Sequence, residues 1–200
     1  MMRLTLAGAI LALAGCAGGF LGGAPVAQLA MFGGAVTAVG PTGYCADPAA
    51  SRPNRGFAIF APCVTLGANN VAAAVSAIIT VQVGESGSAI VHSDPAGFAA
   101  VLGGASGPTI LARGGDAKTV TVNTVIRDDA RVSVYFTDNA AVVIDGAQNA
   151  EWRSFVDLGD RLVTVSVRGF DAAPLLAQNG EALLDQSINA LIAANSPMDN

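Results

Sequence analysis

Charge is scarce in this 200-residue chain: charged residues make up 12% of it and hydrophobic residues 52%. A composition this apolar excludes a disordered chain and departs from an ordinary cytosolic enzyme surface. Basic residues are nine arginines and a single lysine, Lys118, and they form no cluster. That argues against nucleic acid or an anionic bilayer as the main partner, because both are recognised through concentrated positive charge. Acids outnumber bases 15 to 10, for a net charge of −5. Histidine occurs once, at His92, so no second histidine exists to complete a zinc site, and the three cysteines contain no CxxC. Phosphate-loop and dinucleotide signatures are missing, and GESGS at Gly84 to Ser88 lacks the closing glycine of a nucleophile elbow. No cofactor-binding or metal-binding motif is therefore read from the chain.

What is present begins at the N-terminus. Residues 1–16 read MMRLTLAGAILALAGC: a positive charge at Arg3, an apolar stretch from Leu4 to Leu13, then small residues. This is the layout of a secretory signal. Its end, Leu13-Ala14-Gly15-Cys16, resembles the lipobox of bacterial lipoproteins. The resemblance implies cleavage before Cys16 and lipid on that cysteine. It makes residues 1–15 a signal peptide and places the mature protein in the cell envelope, anchored to a membrane. Ala17 stands where an aspartate would signal inner-membrane retention, so in a two-membrane host the resemblance points to the outer membrane, facing the periplasm. An uncleaved membrane helix over Leu4 to Leu21 and a plain signal peptide with an incidental cysteine are the alternatives. Gly15, Gly18 and Gly19 make a poor end for such a helix. Residues 16–34, rich in Gly and Ala with Pro25, read as a flexible tether, leaving 35–200 as one domain.

If Cys16 carries lipid, Cys45 and Cys63 remain as an even pair in an oxidising compartment, and a disulfide is expected between them. A metal pair or a reactive thiol is the alternative.

Hydrophobic periodicity supplies the fold class. Ala35 to Val39 reads as a short strand. The segment from Gly40 to Cys63 reads as a strand, a turn-rich loop over Pro48 to Gly56 and a return strand, FAIFA, stapled by the disulfide. Ala77 to Val83 is a buried strand. Asp94-Pro95 reads as a helix cap followed by proline in the first turn, opening a helix over Phe98, Val101 and Leu102. Lys118 to Ile126 and Arg131 to Phe136 alternate as strands, and Ala141 to Ile144 is a short apolar run. Trp152 to Leu158 and Arg161 to Arg168 pair across Gly159-Asp160. The glycines at 103, 104, 107, 114 and 115 suggest a flexible surface loop. Leu183, Leu184, Ile188, Leu191 and Ile192 recur at helical spacing, so an amphipathic terminal helix should cover one face of a sheet. The expectation is an α+β domain with an antiparallel sheet, a short internal helix and a packed C-terminal helix.

This order, with its Gly-Tyr step in an early hairpin and a closing helix after LVTVSVRGF, resembles PsbP-like domains. That resemblance implies an accessory or assembly role, as in family members that associate with membranes. GYC…C and EWRSF…RLVTVSVRGF are also similar to uncharacterised small lipoproteins of alphaproteobacteria, which implies no activity.

Candidates for chemistry are few. His92 sits in VHSDP, where Ser93 and Asp94 would have to serve with it, although triads form from segments distant in sequence. The other reading makes Ser93 or Asp94 a helix cap. Asp128 and Asp129 suggest a solvated turn between Arg127 and Arg131, and Asp145 and Glu151 flank what reads as a loop, not an ion site. Trp152 beside Arg153 reads either as an interface anchor or as a tryptophan packed under the terminal helix. Tyr44 is expected to pack on the disulfide. These observations favour a noncatalytic envelope lipoprotein that binds a partner or assists assembly. An envelope hydrolase using His92 and a purely structural lipoprotein are the rivals.

Overall fold

A computed structural model describes residues 24–68 and 71–196, so residues 1–23, including the signal segment and Cys16, lie outside the described residues. The fold is α+β. Strands β3 (Tyr44–Ala46), β4 (Phe57–Pro62), β5 (Ile78–Val83), β6 (Val120–Arg127), β7 (Arg131–Asp138), β8 (Ala150–Leu158) and β9 (Arg161–Arg168) form one sheet. Its order is β3-β4-β5-β9-β8-β7-β6, and every neighbouring pair is antiparallel. Two meanders are thus joined where β5 meets β9. A separate ribbon pairs β1 (Gln28–Met31) with β2 (Val36–Val39).

Alternation along the strands sends their side chains to two different layers. Ile79, Val81 and Val83 of β5, Trp152 and Val156 of β8, and Val163, Val165 and Val167 of β9 are buried on one face. There they meet Leu183, Leu184, Ile188 and Leu191 from the terminal helix α3 (Ala177–Asn195). The apolar stripe of α3 thus covers the sheet as its spacing requires. Trp152 packs beneath it, with its indole Nε1 donating to Ala177 O at 2.7 Å. A Cβ on Gly180 would stand 2.8 Å from the Trp152 ring, so this glycine permits the close approach of helix and strand.

The opposite face is roofed over only part of its width. Helices α1 (Pro95–Gly103) and α2 (Gly107–Leu111), from the β5–β6 connection, bury Leu102 and Leu111 against Val132, Val134 and Phe136 of β7 and Phe155 of β8. Asp94 caps α1 by accepting from Gly97 N at 2.8 Å, with Pro95 in the first turn. No helix lies over β4, β5 and β9 on this side among the described residues, and their outward residues include Thr80, Gln82, Ser166 and Arg168.

Three expectations are corrected, and the short apolar run at 141–144 is placed. The stretch read as a tether is folded from Val26 onward: Val26 bridges Ala46, β1 pairs β2, and Met31 is fully buried. Gly-Ala composition suggested flexibility there, but Leu29, Met31 and Phe32 pack against the core. The glycine stretch read as a loop contains α2, because Leu102 and Leu111 have a core to enter. The run Ala141 to Ile144 pairs with no strand and stays in the β7–β8 connection, with Val143 89% exposed. Tyr44 turns to the core face, where its hydroxyl donates to Val75 O at 2.7 Å, and strand alternation turns neighbouring Cys45 the other way. Burial of that hydroxyl pushes the Tyr44 pKa up to about 12. The Cys45–Cys63 disulfide is present and staples β3 to the end of β4.

Candidate functional site

On the open half of the second face, two cross-strand rows of polar residues meet. Thr80 of β5 pairs with Ser166 of β9, which pairs with Arg153 of β8. In the next row Ile78 pairs with Arg168, and Glu151 lies two residues before Arg153 on the same face of β8. Ile144, from the β7–β8 connection, completes the lining of a cavity of about 110 Å³. The floor is rigid sheet, with the side chains held by register.

Glu151 is the buried centre, its side chain 1% exposed. Its Oε1 accepts from Arg153 Nε at 3.0 Å and Nη2 at 2.7 Å, and its Oε2 pairs with Arg168 Nη2. Arg153 Nε also donates to Ser166 Oγ at 3.1 Å, and its guanidinium lies 4.9 Å from the Phe136 ring centroid. A second pair adjoins this one. Asp138, at the end of β7, accepts from Arg113 N at 2.8 Å and Thr119 Oγ1 at 2.6 Å, with Arg113 Nε at 3.3 Å. Arg113 Nη2 donates to the Asp138 carbonyl at 2.5 Å.

The cluster therefore holds three guanidiniums against two carboxylates. Burial, joined at Arg168 by the Arg113 charge and partly offset at both by Asp138, holds Arg153 and Arg168 down at about 10. Both arginines remain cationic at neutral pH. Three guanidinium nitrogens, Arg113 Nε and Nη1 and Arg168 Nε, are buried with no hydrogen-bond partner, as is one acceptor, Glu151 Oε2, which meets Arg168 only as an ion pair. Positive charge and donors thus exceed what the two carboxylates satisfy.

Asp138 reports on this balance. Burial pushes its carboxyl up. The Thr119 hydroxyl, the Arg113 and Ala140 N–H groups and the Arg113 charge pull harder, to about 2. A folded-state pKa below the unfolded value near 3.8 stabilises the fold above about pH 4 and is lost as pH falls toward 2. Urea midpoints measured from pH 5 to pH 2 should fall more steeply for the parent than for Asp138→Asn. Parallel curves would show that Asp138 contributes nothing to acid sensitivity.

The other candidates fall elsewhere. His92 is exposed in the turn before α1, and its imidazole makes no hydrogen bond among the described residues. Its backbone N–H donates to Asp157 Oδ2 at 2.8 Å. Ser93 Oγ donates to Ile90 O at 2.8 Å, and Asp94 is the helix cap, so the three neighbours do not assemble as a triad. His92 lines a wide surface groove of about 590 Å³ with Ser93, Asp157 and Ile192. Asp128 is occupied by Arg131 in a turn, and Asp145 is exposed. No group of three or more His, Cys, Asp or Glu side chains converges on a common point among the described residues. Trp152 and Arg153, adjacent in sequence, face opposite sides of the sheet: the first is core and the second lines the cavity.

The arginine cluster escaped the sequence reading, although a signal for it existed. Counting outward from the Gly159–Asp160 hairpin sets Arg168 opposite Glu151, with Arg153 and Ser166 in the next same-face row. Compared with protein-family models and with curated proteins, this chain finds no match.

Proposed function

We propose that this protein is a noncatalytic lipoprotein of the cell envelope, held by lipid on Cys16 on the periplasmic side of a membrane, where it acts as a binding or assembly module. The observation that carries the binding role is the Arg153–Glu151–Arg168 cavity, a half-buried, positively biased recess on a rigid sheet. Its lining residues suit recognition: guanidiniums grip, hydroxyls orient, and none is a nucleophile paired with a general base. The lipobox-like Leu13-Ala14-Gly15-Cys16 supports the address, and the Cys45–Cys63 bond fits an oxidising compartment. No helix among the described residues is long and apolar enough to cross a membrane. Attachment in this reading depends on the lipid, and two or more acyl chains anchor stably.

Two measurements test the two halves of this reading. The intact mass of protein extracted from membranes should show a chain starting at Cys16, carrying acyl mass and lacking two hydrogens for the disulfide. An unmodified start at Met1 or Met2 rejects the anchor. Crosslinking in envelopes, with the native protein and a Cys16→Ser soluble form as baits, should capture one abundant shared partner. Steady turnover by the purified protein that His92→Ala abolishes would replace the binding role with a hydrolase acting in the His92 groove.

A further inference from the structure

We propose that the cavity between β5, β8 and β9 binds a small monoanionic carboxylate with a short apolar tail. The inference deepens the binding reading of the same site. Charge comes first: Arg153 and Arg168 line the recess with Glu151 as their one ion-pair partner among the described residues, and Arg113 and Asp138 beside it pair with each other, leaving one positive charge in a half-buried recess. One negative charge balances it; a dianion overshoots.

Donors come second. Ser166 Oγ accepts from Arg153, which leaves its own proton to give, and Thr80 makes no side-chain hydrogen bond among the described residues. The two hydroxyls sit side by side as cross-strand partners on the cavity floor, next to the Arg168 and Arg153 heads. Paired with guanidinium N–H groups, they present the converging donors that a carboxylate's lone pairs accept.

Size and polarity come third. A protein cavity of about 150 Å³ holds one benzene, so about 110 Å³ admits roughly four to five non-hydrogen atoms. Ile78 and Ile144 supply the apolar wall. An inorganic oxyanion of that size would present oxygen to those isoleucines, whereas a short alkyl tail places carbon there.

Titration calorimetry on the full-length protein in detergent, with acetate, propionate, inorganic phosphate and chloride at fixed ionic strength, tests this. Propionate should bind at one site, more tightly than acetate, and chloride at least about tenfold more weakly, since a single atom lacks the two-oxygen edge that a guanidinium fork grips bidentately. Arg168→Gln should weaken propionate by at least about tenfold, the value of a hydrogen bond to a charged group. Because that change touches a buried ion pair, Ser166→Ala and Thr80→Val serve as fold-preserving variants, each expected to weaken binding about three- to tenfold. Absence of binding by any carboxylate at millimolar concentration overturns the proposal. So does a preference for phosphate, equal binding of chloride, or unchanged propionate affinity in both hydroxyl variants. A protein that captures an envelope partner but binds no carboxylate ends this inference and leaves the binding-module reading standing.

Discussion

Glu151→Gln is expected to lower unfolding free energy by about 3 to 5 kcal/mol, the cost of breaking a buried ion pair from one side. The substitution preserves shape, so packing beside the cross-strand neighbour Phe136 is spared. What it removes is the counter-charge between Arg153 and Arg168, whose side chains are 17% and 16% exposed. Two guanidiniums would then face each other across a partly dry recess already biased by Arg113. Urea denaturation with an unchanged slope should report the loss. The opposite result is expected when the whole set is exchanged for apolar residues. Glu151→Leu, Arg153→Met and Arg168→Met together should return stability to within about 1 kcal/mol of the parent or above it, because buried ion clusters repay little of their desolvation. Propionate binding should vanish in that variant. Such an outcome would mean that the cluster is kept at some cost to stability, the pattern of a functional recess. A triple variant as unstable as Glu151→Gln would make the cluster part of the scaffold.

Removing the Cys45–Cys63 bond should destabilise the fold by about 3 kcal/mol on the chain-entropy model, given the 18-residue separation. In a chain of this size that lowers the melting temperature by roughly 6 to 12 °C. Strand β3 is the element most exposed to the loss. It is an edge strand of three residues, and one of its register partners, Pro62, has no N–H to donate. Cys45→Ser/Cys63→Ser should therefore lose protection first at Tyr44 to Ala46 in hydrogen exchange, while β8 and β9 keep theirs. A melting temperature within 2 °C or so of the parent would show that packing alone secures this edge.

The elements visible in the sequence are those whose patterns repeat. Alternation along RVSVYF and RLVTVSVR announces strands, and the three- and four-residue spacing from Leu183 to Ile192 announces α3, because each repeat records which side meets the core. The elements missed lack such a record. Strand β1 is four residues, QLAM, with one fully buried side chain, too few to show a period. Helix α2 is five residues and opens on a glycine and a proline, residues that otherwise mark a loop. Ile144 enters the cavity wall from an irregular connection that no periodicity predicts. The site was hidden for a related reason. Arg113 and Asp138 are 25 positions apart and meet only through the path of α2, whereas Glu151, Arg153, Ser166 and Arg168 lie within a legible hairpin. Reading Glu151 as part of a loop obscured them: two residues of added strand at the start of β8 move it from solvent onto the sheet.

The two ends of the described fold are fastened to each other. Asn195, at the end of α3, accepts from Thr37 N and donates to Thr37 O of β2, each at 2.8 Å, while Val26 exchanges backbone hydrogen bonds with Ala46. A mechanical load arriving along the segment before Val26 therefore enters at β3, one residue from a covalent crosslink to Cys63. It spreads into the ribbon and the far end of α3 before it reaches β8 or β9. The recess between β5, β8 and β9 lies off that line of force, so tension applied at that end would leave its arginines undisturbed.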